Sequence, residues 1–148
     1  MLIGEYIHTI DEKNRISLPA KFRKELGKRI IITPGLDNCL FIFTLSEWAK
    51  VSKRLSSSEG DLSFFKSDQR TFNRNMFGQA VDVEVDSIGR ILIPDFLKER
   101  AKLKDTGAII GVQDRLEIWN DKIWLEYKKN AERQAESLAE KLSSSSET

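Results

Sequence analysis

Apolar and polar residues alternate along two short segments of the 148-residue chain. In Glu5–Ile10, the residues Tyr6, His8 and Ile10 share one face; in Val81–Val85, Val81, Val83 and Val85 do the same. A period of two predicts half-buried β-strands. Each strand runs into a polar turn, "DEKN" or "DSIG", whose fourth residue is Asn14 or Gly89. Both residue types tolerate positive φ, so both turns read as hairpin turns. A second short strand follows, "RISL" or "RILI". Pro19 or Pro94 then stops it and suits the first turn of a helix, "PAKFRKEL" or "PDFLKERA". Further apolar runs predict strands at Ile30–Thr33 and Leu40–Phe43, and again at Ala108–Val112 and Leu116–Trp119. Ser46 and Asp121 are the predicted N-caps of helices containing Trp48 and Trp124.

The two series of elements are one pattern written twice. At an offset of 75 residues Asp11 falls on Asp86, Arg15 on Arg90, Ile16 on Ile91, Leu18 on Ile93 and Pro19 on Pro94. With one inserted residue the agreement continues through Gly35 on Gly111, Leu40 on Leu116 and Trp48 on Trp124. A copy of about fifty residues is too small to bury much core alone. The expected fold is therefore α+β and mainly β, with two half-barrels sharing one barrel, within one chain or between chains, and oligomerisation is expected as well. The first repeat spans residues 1–53, a linker helix region 54–79 and the second repeat 80–124. In the linker, Phe64, Phe65, Phe72, Met76 and Phe77 recur at roughly helical spacing up to Gly78. A C-terminal helix is expected over 125–142, and a disordered tail over 143–148. Ala131, Ala135, Leu138 and Leu142 stripe the C-terminal helix, too short and alanine-rich a stripe for a coiled coil.

Composition narrows the function by exclusion. The chain carries 24 Lys and Arg against 23 Asp and Glu, so net charge gives no global signature of nucleic-acid binding. A single cysteine, Cys39, rules out an internal disulfide and fits a reducing compartment. No signal peptide or membrane span is read from the sequence, and a cytoplasmic protein is expected. His8 is the only histidine and Cys39 has no activating partner, so no metal site, cofactor or catalytic role is assigned. Charge position says more. Between Asp11 and Glu25, Lys13, Arg15, Lys21, Arg23 and Lys24 face Asp11, Glu12 and Glu25, a balance of +2. Between Asp86 and Arg100, Arg90, Lys98 and Arg100 face Asp86, Asp95 and Glu99, a balance of zero. That asymmetry favours phosphate contact by the first copy. The same residues also read as pairs across a turn, Asp11 with Arg15 and Asp86 with Arg90, worth only about 0–1 kcal/mol each. From residues alone, nucleic-acid binding and protein interaction both stay open.

The doubled D-x-x-x-R, each followed by an apolar strand and proline, closely resembles the MraZ family of bacterial transcriptional regulators. The match includes "DEKNRISLPAKFR", "DSIGRILIP", "LFIF", "LEIW", Trp48 and Trp124, and runs from Met1 to about Leu142. The resemblance implies fused AbrB-like swapped-hairpin half-barrels that assemble into rings, commonly octameric. It implies binding to short direct repeats in double-stranded DNA at the promoter of the division and cell-wall gene cluster, mainly as a repressor associated with the nucleoid. The family's DNA-contacting role falls on Arg15 and Arg90, with Lys13 at a commonly basic position and Arg23 in the basic "KFR" segment. Lys13, Lys21, Arg23 and Lys24 are expected on phosphates. Two departures stand out: Asn14 replaces a usual glycine, and Ile88 occupies the place of Lys13 in the second turn. The rival expectation is an antitoxin-like interaction module without DNA readout.

Overall fold

The computed structural model describes residues 1–57 and 64–146. In chain order the first copy supplies β1 (Leu2–Thr9), β2 (Arg15–Ser17), α1 (Ala20–Leu26), β3 (Arg29–Pro34), β4 (Leu40–Thr44) and α2 (Leu45–Ser57). Helix α3 (Ser67–Met76) follows. The second copy supplies β5 (Val81–Glu84), β6 (Arg90–Leu92), α4 (Asp95–Arg100), β7 (Thr106–Gln113), β8 (Leu116–Asn120) and α5 (Asp121–Ser146).

Neither copy closes on itself. The six-stranded antiparallel sheet has the order β1-β7-β8-β4-β3-β5, so the first strand of each copy pairs with the third strand of the other. Strands β4 and β8 meet at the centre, Leu40 opposite Ile118. The second strands form a separate ribbon, β2 with β6, in which Ile16 faces Ile91. This is the duplicated, swapped arrangement expected from the sequence. Both copies feed one core in equivalent pairs: Ile16 and Ile91, Leu18 and Ile93, Phe22 and Leu97, Ile42 and Ile118. A copy by itself would expose half of that interior, which is the physical reason the motif occurs twice.

The outer face of the sheet carries a second cluster. Phe41, Phe43 and Trp119 lie beneath the helices that hold Trp48, Phe72, Met76 and Trp124. Glu117 is buried there, accepting hydrogen bonds from Arg115 Nη2 (2.9 Å) and Trp119 Nε1 (3.0 Å).

Several local expectations change. Thr44, not Ser46, caps α2, its Oγ1 accepting from the Glu47 backbone N–H at 3.1 Å. Asn120, not Asp121, caps α5, its Oδ1 accepting from the backbone of Lys122 and Ile123. Helix α3 takes in Phe72 and Met76, but Phe64 and Phe65 precede it and are exposed. Residues 58–63 of the predicted linker lie outside the described residues, as do the last two of the predicted tail. Helix α5 runs on to Ser146, past the boundary at 143, because a serine run does not break a helix already propagating.

Candidate nucleic-acid interface

The two D-x-x-x-R turns are built by their aspartates. Asp11 Oδ1 accepts from the backbone N–H of Lys13 (2.9 Å) and Arg15 (2.8 Å). Asp86 Oδ1 does the same for Ile88 (3.1 Å) and Arg90 (2.8 Å). The backbone N–H of Arg15, or of Arg90, is the largest cause holding each carboxyl below its usual range. The fourth residue of each turn has positive φ, 62° at Asn14 and 82° at Gly89, so the asparagine substitutes for glycine as expected.

The arginines differ in how they are tied. Arg90 Nε donates to Asp86 Oδ2 at 2.9 Å. Arg15 Nε is 3.5 Å from Asp11 Oδ2, an ion pair, and is shielded from solvent without a hydrogen bond. The first arginine is held loosely and the second firmly.

The ribbon brings the turns together. Ile16 and Ile91 point into the core, so the alternation of a strand puts Arg15, Ser17, Arg90 and Leu92 on the other face. The register sets Arg15 opposite Leu92 and Ser17 opposite Arg90. Reciprocal backbone bonds lock the joint: Leu18 N–H donates to Gly89 O (2.9 Å) and Ile93 N–H to Asn14 O (2.8 Å).

The remaining basic residues divide. Lys13 is exposed at the first turn. Lys21 lies over the rings of Tyr6 and Phe22, its Nζ 5.2 and 5.4 Å from the centroids, and Lys24 is exposed in the last turn of α1. Arg23 is half-buried in the joint, its Nε donating to Leu18 O at 2.9 Å and its guanidinium filling the space beside Gly89. Its counterpart is Lys98, whose Nζ donates to Asn14 Oδ1 at 2.8 Å. Asn14 in turn donates to Asp95. Sequence reasoning missed this pair of clamps. The signal was present, because the same offset of 75 puts Lys98 on Arg23 and Gly89 on Asn14.

The second copy presents a different surface. Ile88, Leu92 and Phe96 are 58, 51 and 47% exposed, where the first copy has Lys13, Ser17 and Lys21. Among the described residues no group of three or more metal-binding side chains converges. Burial pushes the Cys39 thiol up to about 12, so it stays protonated and unreactive at neutral pH.

A family model for the MraZ protein, antitoxin-like by its description, matches residues 1–75 and again residues 76–145. The chain belongs to the MraZ family. Proteins named "Transcriptional regulator MraZ" are similar to it along almost all of its length. That of Caldanaerobacter subterraneus subsp. tengcongensis is 46% identical over 142 residues, 96% of each chain. That of Acetivibrio thermocellus is 46% identical, and that of Moorella thermoacetica 45%, with the same coverage of both chains. The two segments that match the MraZ model each contain one D-x-x-x-R turn, and their boundary at residues 75 and 76 falls at the end of α3.

Proposed function

We propose that the chain is a DNA-binding transcriptional regulator that binds short direct repeats at a promoter as a ring of identical subunits. In the cell it acts in the cytoplasm on the nucleoid, mainly as a repressor of the division and cell-wall gene cluster. The observation that carries this reading is the β2–β6 ribbon, which places two D-x-x-x-R turns side by side with both arginines on its outer face. Arg15, loosely tied to Asp11, can leave that partner at little cost and reach a guanine edge. Lys13, Lys21 and Lys24 meet phosphates, with Arg23 supporting them from the joint. Arg90, held by Asp86, serves first as scaffold and second as contact. One subunit offers few cations, so repeated turns on a ring gain affinity through effective concentration.

The test is a mobility shift with DNA from upstream of the protein's own gene, repeated across a salt titration. Affinity should fall steeply with salt, as phosphate contacts require. The exposed Ile88, Leu92 and Phe96 favour the rival reading, a protein-interaction module. Absence of a shifted band, or binding indifferent to salt, would decide for that rival.

A further inference from the structure

The β2–β6 ribbon has a local two-fold axis. Ile16 faces Ile91 at its centre, and a half-turn about that pair carries Arg15 onto Arg90 and Ser17 onto Leu92. The backbone obeys the same axis, the bond from Leu18 N–H to Gly89 O answering that from Ile93 N–H to Asn14 O. So do the two turns built by Asp11 and Asp86. Side chains break the symmetry. Ser17, half-buried, answers to Leu92, which is 51% exposed. At the turns Lys13 answers to Ile88. A reader with an unbroken two-fold axis recognises a palindrome, whereas a direct repeat has a direction. On this ribbon, direction can be read only by side chains that the half-turn does not exchange for their like.

Leu92 is the best placed of them. The register sets it opposite Arg15, and alternation along β6 puts it on the face that carries Arg90. Opposed Cβ atoms in an antiparallel pair stand about 5 Å apart, one to two base steps of about 3.4 Å. A base edge met by Arg15 therefore leaves a neighbouring base edge under Leu92. The fold does not ask for leucine here, because serine fills the equivalent place in β2. Exposure alone would suit a protein partner as well; the neighbouring arginines decide between the two. An apolar protein pocket closing over Leu92 would also cover both guanidinium groups and strip their water, a cost that contact with one leucine does not offset. The major groove of DNA serves both kinds of side chain at once. It admits a two-stranded ribbon and offers guanine acceptors to arginine and the C5 methyl of thymine to an apolar group.

We propose that Leu92 is a specificity-determining residue, packing on the C5 methyl of a thymine beside the guanine that Arg15 reads. The difference between Ser17 and Leu92 then gives the ribbon its direction along the duplex. This inference rests on the DNA-binding reading above and names a second base that the same face selects.

The test titrates the full-length chain against DNA from upstream of its own gene, made with thymine, or with uracil in both strands or in either strand alone. Uracil pairs as thymine does and lacks only the methyl. The wild type should bind the fully substituted probe about threefold to tenfold more weakly, the effect of losing one or two buried methyl contacts. Uracil in one of the two strands should account for nearly all of that loss. Leu92→Ser, which copies the residue already present in β2, should bind the thymine probe as weakly as the wild type binds the uracil probe, and should no longer tell the two apart. Leu92→Thr, a stronger strand former, should show the same loss and covers the case in which the serine variant does not fold. Thermal melts and light scattering check the fold and the mass of each variant. A wild type indifferent to uracil, or equal losses from the two strands, overturns the inference. A folded variant that keeps the full thymine preference also overturns it, and leaves Leu92 to a protein partner. A variant of lower mass than the wild type overturns it by placing Leu92 between copies. A wild type that binds none of the probes overturns the DNA-binding reading and this inference with it.

Discussion

At the scale of single residues, D-x-x-x-R separates into a structural and a presented half. The aspartate organises the turn, accepting two backbone N–H groups in each copy. The arginine is what the turn displays. Because Arg15 has the weaker tie, Arg15→Ala should cost about 1–3 kcal/mol of specific DNA affinity, the worth of one bidentate base contact. Arg90→Ala should cost less, and both should keep the wild-type oligomer; equal losses in a titration would contradict the asymmetry. Gly89 is a stricter position. Any side chain there is strained at positive φ and meets the Arg23 guanidinium. Gly89→Ala should lower unfolding free energy by about 1–3 kcal/mol in urea. The depressed carboxyls set the acid response. A folded-state pKa below the ordinary value contributes stability that is present at neutral pH and lost as pH falls through the folded pKa. The melting temperature of the wild type should therefore drop below about pH 4, and the variant with Asp11→Asn and Asp86→Asn should show a shallower drop.

At the scale of elements, the strands and short helices were legible because alternation and proline are local signals. The helix caps were not. Thr44 and Asn120 still belong to the sheet, paired with Ile30 and Gly107, while capping the helices that follow. One residue does two jobs, and a rule that seeks a cap after the strand looks too late. Asn120 also donates to Lys102 O at 2.7 Å. Asn120→Ala should thus cost about 1–2 kcal/mol, and Thr44→Ala about 1 kcal/mol or less, by chemical denaturation. The aromatic pair Phe64 and Phe65 misled for a related reason. Helical spacing across a loop imitates an amphipathic face, yet only Phe72, Met76 and Phe77 reach the cluster under the helices.

At the scale of the whole molecule, repetition announced that two halves share a barrel, but not whether within one chain or between chains, nor which strand pairs with which. Periodicity marks a strand's inward face and leaves its partner unstated. The swap explains why Arg23, read as a phosphate contact, sits against the other copy's turn. It also makes a direct demand on the halves. Residues 1–75 and 76–148 produced separately should show no cooperative thermal transition by circular dichroism. Mixed or co-expressed, they should recover one, since each supplies partners for the other's strands.

The pairing of β1 with β7 has a further consequence in time. Leu2 lies opposite Gln113, so β1 waits for about 110 further residues to be synthesised before its partner exists. Contacts of such sequence separation make folding slow, and the waiting strand exposes an unpaired edge to neighbouring nascent chains. Slowing synthesis or supplying chaperones should therefore raise the soluble yield of this protein, read as the soluble fraction on expression.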